Sequence, residues 1–155
     1  MPCSVRVLGL GNEILGDDAV GILAARRVAE CFPPEEVDVV SSSESGLHLL
    51  DQLVDVSRLI VIDSVQTGHD APGTIYVVRE EDVRSAPGST PHGTGLFDTL
   101  ALARTLGFRV PREVTILGIE TADCLTLGGE MHPAVAAAIP EALERVQSMI
   151  GVAAR

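Results

Sequence analysis

The chain has no tryptophan, and aromatic residues make up only 3% of its 155 residues. A core must therefore be built from Val, Ile, Leu and Ala, which suits a mostly parallel sheet covered by alanine-rich helices. Cysteine is also scarce: Cys3, Cys31 and Cys124 are widely spaced, odd in number and form no CxxC pair. Neither a disulfide framework nor a zinc knuckle is indicated. Cys31 and Cys124, with no activating base nearby in sequence, read as structural. Basic residues are outnumbered, 11 Lys plus Arg against 22 Asp plus Glu, for a net charge of −11. That argues against nonspecific nucleic-acid binding, which needs cations on phosphates, and against anionic membrane surfaces. No apolar run approaches the roughly 20 residues of a membrane span. The N-terminus enters a strand without a basic leader region, so the expected location is the cytoplasm. What is abundant is aliphatic: apolar residues at 46% exclude a disordered chain. Without repeats or a linker, residues 1–155 are expected to fold as one domain.

Hydrophobic patterning predicts strands over Ser4–Leu10, Val37–Ser42, Arg58–Asp63, Thr74–Arg79 and Glu113–Ile119. Helices are predicted over Asp18–Glu30, Gly46–Leu53, Phe97–Leu106 and His132–Ile150, with residues 85–95 as a loop. Pro133 suits the first turn of the last helix, whereas Pro140 inside it should kink or split it. About ten residues separate the third and fourth strands, too few for a parallel crossover. The fourth strand is therefore expected to be antiparallel, at or near an edge. The fold class is α/β: a three-layer α/β/α sandwich around a five-stranded, mostly parallel sheet with one antiparallel strand. The segments after strands 1, 2, 3 and 5 would then emerge at one end, gathering Asp17, Asp18, Glu44, Asp63 and Glu120 where open α/β sheets bind ligands.

The most informative stretch is Gly9-Leu10-Gly11-Asn12-Glu13-Ile14-Leu15-Gly16-Asp17-Asp18-Ala19-Val20-Gly21, a strand end, a glycine turn and a helix start carrying adjacent acids. Acids in such a turn invite a cation rather than a phosphate. One of the pair suits an ordinary helix N-cap; Asp17 is the better placed, leaving Asp18 to point elsewhere. The glycines would let a partner's backbone come close. Asp63 ends the apolar run Leu59-Ile60-Val61-Ile62, either as a turn residue for Ser64–Gly68 or as a ligand at the strand end. His92 lies in the loop Thr90-Pro91-His92-Gly93, a setting in which a histidine is ordinarily just solvated. Two carboxylates and one imidazole on separate loops make a candidate site for zinc, nickel or a similar divalent ion. Glu44 and Glu120 are either cleft-lining residues or solvated loop acids, and Gly11, Asn12 and Gly46 fall on the same loops. His132 reads as a cap-region residue, His48 as partly buried packing, His69 as an exposed turn residue and Glu13 as surface.

Several chemistries lack their signatures. Gly9-x-Gly11 is followed by Ile14, not the third glycine of a dinucleotide fingerprint, and the turn's acids would repel a pyrophosphate. The turn holds no lysine for a P-loop, and no G-x-S-x-G elbow exists.

At these residues the chain resembles the hydrogenase maturation proteases, endopeptidases that trim the C-terminal extension of the large subunit of nickel-iron hydrogenases. The resemblance rests on Gly9 through Gly21, which follows G-x-G-N-x-[IL]-L-x-D-[DE]-x-x-G. It continues through Ser45-Gly46-Leu47-His48-Leu49-Leu50, Ile60-Val61-Ile62-Asp63-Ser64 and Ala71-Pro72-Gly73-Thr74. Pro91-His92-Gly93-Thr94-Gly95-Leu96 and Leu117-Gly118-Ile119-Glu120 complete it, in order, over nearly the whole chain. The family's metal-binding acids and histidine fall on Asp18, Asp63 and His92; the first-turn acid is Glu in some members and Asp here. The resemblance implies an aspartic-type maturation endopeptidase, an activator of its target enzyme. Its partner would be a large-subunit precursor that supplies the nickel, with no tightly bound organic cofactor. Asp18 and Asp63 are then the candidate catalytic carboxylates beside the substrate's metal. Two alternatives remain: a chaperone that binds nickel or the precursor without cutting it, and a nucleotide-binding Rossmann-like domain.

Overall fold

The computed structural model describes residues 5–85, 93–123 and 127–151. Five strands, β1 (Val5–Leu10), β2 (Asp38–Ser42), β3 (Arg58–Val65), β4 (Ile75–Arg79) and β5 (Glu113–Glu120), form one sheet in the order β2-β1-β3-β5-β4. The first four in that order run parallel. β4 lies at the edge, antiparallel to β5, as its short connection to β3 requires.

Strand alternation sorts the core into two layers. Ile60 and Ile62 of β3, with Leu117 and Ile119 of β5, pack against α1 (Val20–Cys31) and α4 (Pro133–Ile150). Leu59 and Val61, with Val114 and Ile116, face the opposite way, towards Leu49 and Leu53 around α2 (Leu50–Leu53) and Leu96 and Leu100 of α3 (Gly93–Thr105). Helices cover both faces, giving the three-layer α/β/α architecture. No helix among the described residues is long and apolar enough to cross a membrane.

α1 sits close to the sheet because Gly21 has no side chain. A Cβ there would lie 2.3 Å from the Leu10 carbonyl oxygen and 2.4 Å from that of Ile62. Within this glycine-rich stretch, Gly21 thus serves a close approach inside the chain itself.

Four elements differ from the sequence expectation. β3 runs two residues past Asp63, because β5 continues beside it and pairs Asp63 with Gly118 and Val65 with Glu120. α3 begins at Gly93 rather than Phe97, and Glu80–Ser85 forms a 3-10 helix. α4 is continuous through Pro140. Pro140 and Ala136, whose carbonyl loses its N–H partner, are both exposed, so water can take up the freed acceptor.

Candidate functional site

The carboxyl ends of β1, β2, β3 and β5 open on one side of the sheet, and the acids gather there. Pairing between β1 and β3 stops at Gly9 and Ile62, so Asp63 lies one residue beyond the last pair that β1 makes with β3. It is still held on the other side by β5. Past β1 the chain makes a closed turn. The Asn12 side-chain oxygen accepts from Ile14 N–H (3.2 Å). The Asn12 carbonyl accepts from Leu15 N–H (3.1 Å), and the Leu15 carbonyl from Asp18 N–H (2.8 Å). Gly11 is buried beneath this turn at φ +153°, where a Cβ would sit 2.0 Å from the Asp18 carbonyl oxygen. Only glycine satisfies both the dihedral and the contact. The turn leads into a 3-10 helix, Gly16–Ala19, and then α1.

Asp18 and Asp63 are 3% and 1% exposed. Ser64 joins them: its N–H donates to Asp63 Oδ1 (2.8 Å) and its hydroxyl to Asp18 Oδ1 (2.5 Å). Alternation along β3 turns the Asp63 side chain towards the α2/α3 face and Ser64 towards the α1 face, where Asp18 waits. Sequence reasoning missed Ser64, although strand periodicity past Asp63 would have pointed its hydroxyl at the first turn. Burying carboxylates without hydrogen-bond donors is costly, and Ser64 contributes one donor to each. Two carboxylates held this way offer hard oxygen atoms suited to a divalent cation or to proton transfer.

Asp17 is not a cap of the first helix: neither the 3-10 turn nor α1 has a side-chain cap. Its carboxylate reaches across the site instead. Oδ2 accepts from Ala122 N–H (2.8 Å) and Asp123 N–H (2.9 Å), and Oδ1 from His132 N–H (2.7 Å).

Glu120 is 1% exposed. Its carboxylate accepts from Thr67 N–H (2.9 Å), the Thr67 hydroxyl and the Tyr76 hydroxyl (3.0 Å). Burial by itself would raise the Glu120 pKa, but these bonds and one from Gly68 N–H outweigh it, so the pKa is lowered. Tyr76 responds in the opposite sense. Burial, and then the Asp70 carboxylate at 2.6 Å, raise it from 10.0 to about 12. Glu120 therefore organises the loop after β3 rather than standing open to a cleft.

The remaining candidates spread outward. Asn12 is half-buried, and Glu44 is exposed, its N–H bonded to the Ser42 hydroxyl at 3.0 Å. Gly46 meets the start of α3: a Cβ on Gly95 would lie 3.2 Å from its Cα. His92 lies outside the described residues, as do Cys3 and Cys124. His132 is the N-cap of α4, its Nδ1 accepting from Ala134 N–H at 3.1 Å. His69 is exposed, as expected. His48 is also exposed, against the expectation of partial burial, because the start of the short helix leaves it on the outer side. Cys31, at the end of α1, is an exposed free thiol rather than a buried structural one. Glu13 is at the surface, paired with Arg26. Among the described residues, no three His, Cys, Asp or Glu side chains cluster closely enough to hold a metal ion by themselves.

Known proteins share this arrangement of chain. The family model described as hydrogenase maturation protease, HycI, matches residues 22–149. The hydrogenase expression/formation protein HupD of Rhodobacter capsulatus is 34% identical over 92% of this chain and 69% of its own length. The hydrogenase 2 maturation protease of Escherichia coli is 30% identical over 92% of this chain and 87% of its own. Among solved structures, the hydrogenase maturating endopeptidase HybD from E. coli superposes with a TM-score of 0.81 at 29% identity, covering 95% of this chain and 91% of that one.

Proposed function

Because the chain belongs to the hydrogenase maturation protease family, a family of peptidases, we propose that it removes the C-terminal extension of a nickel-loaded nickel-iron hydrogenase large-subunit precursor in the cytoplasm. Asp18, Asp63 and His92 recognise the nickel that the precursor carries. The observation that carries this reading is Ser64, which ties two buried carboxylates together at the carboxyl end of the sheet. Two carboxylates and an imidazole suit a borderline divalent ion. The three residues come from separate stretches of the sequence, so together they can be spent on one ion seated on the precursor. Of the other cleft candidates, Asn12, Glu44 and Gly46 lie on the segments that follow β1 and β2.

In the reaction, water adds to the scissile carbonyl and the C–N bond breaks. Asp18 or Asp63 takes the water's proton and returns it to the leaving nitrogen. The precursor's metal polarises the carbonyl or the water. This scheme needs no nucleophilic serine or cysteine, in keeping with the missing G-x-S-x-G elbow.

The test mixes purified protein with nickel-loaded and nickel-free precursor and reads the mass of the large subunit. A shortened product from the loaded form alone is expected. Asp18→Asn and His92→Ala should each slow processing by about 100-fold or more. Wild-type rates in both variants would overturn the residue assignment. An unchanged mass, with the precursor bound, would instead make the protein a non-cleaving nickel or precursor chaperone.

A further inference from the structure

The first turn carries no side-chain cap of its own, yet it holds the buried Asp18 against Ser64. Besides its internal hydrogen bonds, the turn is held from the other end of the chain. Asp17, 2% exposed, spends both oxygens on the backbone N–H groups of Ala122, Asp123 and His132. Two backbone bonds run alongside: Asp17 N–H to the Asp123 carbonyl (3.3 Å) and Gly128 N–H to the Ile14 carbonyl (2.8 Å). A carboxylate shared among three amides is a strong, charge-assisted anchor. Here it joins the segment after β1 to the segment after β5.

We propose that Asp17 is the positioning residue of this site, setting where Asp18 stands by anchoring its turn to the backbone at residues 122, 123 and 132. The proposal rests on the reading of Asp18 given above. Asp17 acts through the backbone: both of its oxygens accept from main-chain N–H groups. Asparagine at this position would keep the volume but turn one acceptor into an N–H donor facing other N–H donors. The anchor would then fail on at least one side, and the turn would lose its register with Ser64.

Hydrogen exchange on the wild-type protein tests the anchor without any variant. The amides of Ala122, Asp123 and His132 should exchange on the order of 100-fold or more slower than free peptide; exchange within about tenfold of free peptide would refute the anchor. In Asp17→Asn, the carboxyl 13C resonance of Asp18 should shift. Processing of nickel-loaded precursor at saturation, per folded molecule, should fall roughly 10- to 100-fold, as a misplacement of about 1 Å would cause. An unmoved Asp18 resonance, or a wild-type rate per folded molecule despite a lower melting temperature, would reduce Asp17 to a purely structural role. If Asp17→Asn does not fold, wild-type exchange decides. If the wild-type protein does not shorten the precursor, the functional reading fails, while exchange and the Asp18 resonance still judge the anchor. If Asp18→Asn loses activity and Asp17→Asn keeps it, only the anchor fails.

Discussion

Glu120 and Tyr76 make the stability of this protein sensitive to pH at both ends of the scale. The Glu120 pKa is lower folded than unfolded. Its contribution is therefore present above the ordinary glutamate value of about 4.3 and is lost as pH falls through the folded pKa. Tyr76 titrates near 10.0 when unfolded and at about 12 when folded. Its contribution is full below the first value and lost as pH rises towards the second. Urea midpoints measured across pH should fall at both extremes, with Glu120→Gln flattening the acid limb and Tyr76→Phe the alkaline one. A wild-type profile retained in both variants would remove the network from the explanation. At this scale the sequence was only partly legible. Asp63 stood out because a lone acid ends an aliphatic run. Asp17 was misread as a helix cap because the amides it serves lie 105 to 115 residues away, beyond any local rule. Glu120 read as either a cleft-lining residue or a solvated loop acid, because nothing nearby in sequence announces Thr67 or Tyr76 as donors.

Between elements, the fit of α1 on the sheet is decided by one missing methyl group. Gly21→Ala would gain about 1 kcal/mol of helix propensity. Its Cβ, however, would meet two backbone oxygens at 2.3 and 2.4 Å, atoms that cannot turn aside as a side chain can. Overpacking of this kind costs roughly 1–3 kcal/mol or more, so the variant should melt lower than wild type in a thermal scan. An unchanged or higher melting temperature would mean that α1 shifts freely on the sheet. Element types and the antiparallel edge strand followed from periodicity and connection length. The ends did not. β3 extends through Ser64 because β5 supplies a ladder there, and a polar residue after an acid gives no local hint of a strand. α3 starts early at a glycine-rich segment, where Gly95 and Gly46 permit close contact. Pro140 sits in a helix it was expected to break, because only solvent faces the bond it removes.

For the molecule as a whole, a net charge of −11 on 155 residues means self-repulsion in the compact state. Added salt screens such repulsion within about 10 Å at 0.1 M. The urea midpoint at neutral pH should therefore rise between about 10 mM and 0.5 M sodium chloride. A flat or falling dependence would show that local ion pairs, such as Arg6–Asp38 at 2.7 Å, outweigh the global charge. The order of the strands has a different kind of consequence. β3 occupies the middle of the sheet, flanked by β1 and β5, and a central strand is among the last parts of a fold to open. Asp63 is thus a fixed benchmark, while Asp18 is carried on a turn adjusted from elsewhere. Any change in the spacing of the two carboxylates must then come from the loop side, because the strand end does not yield.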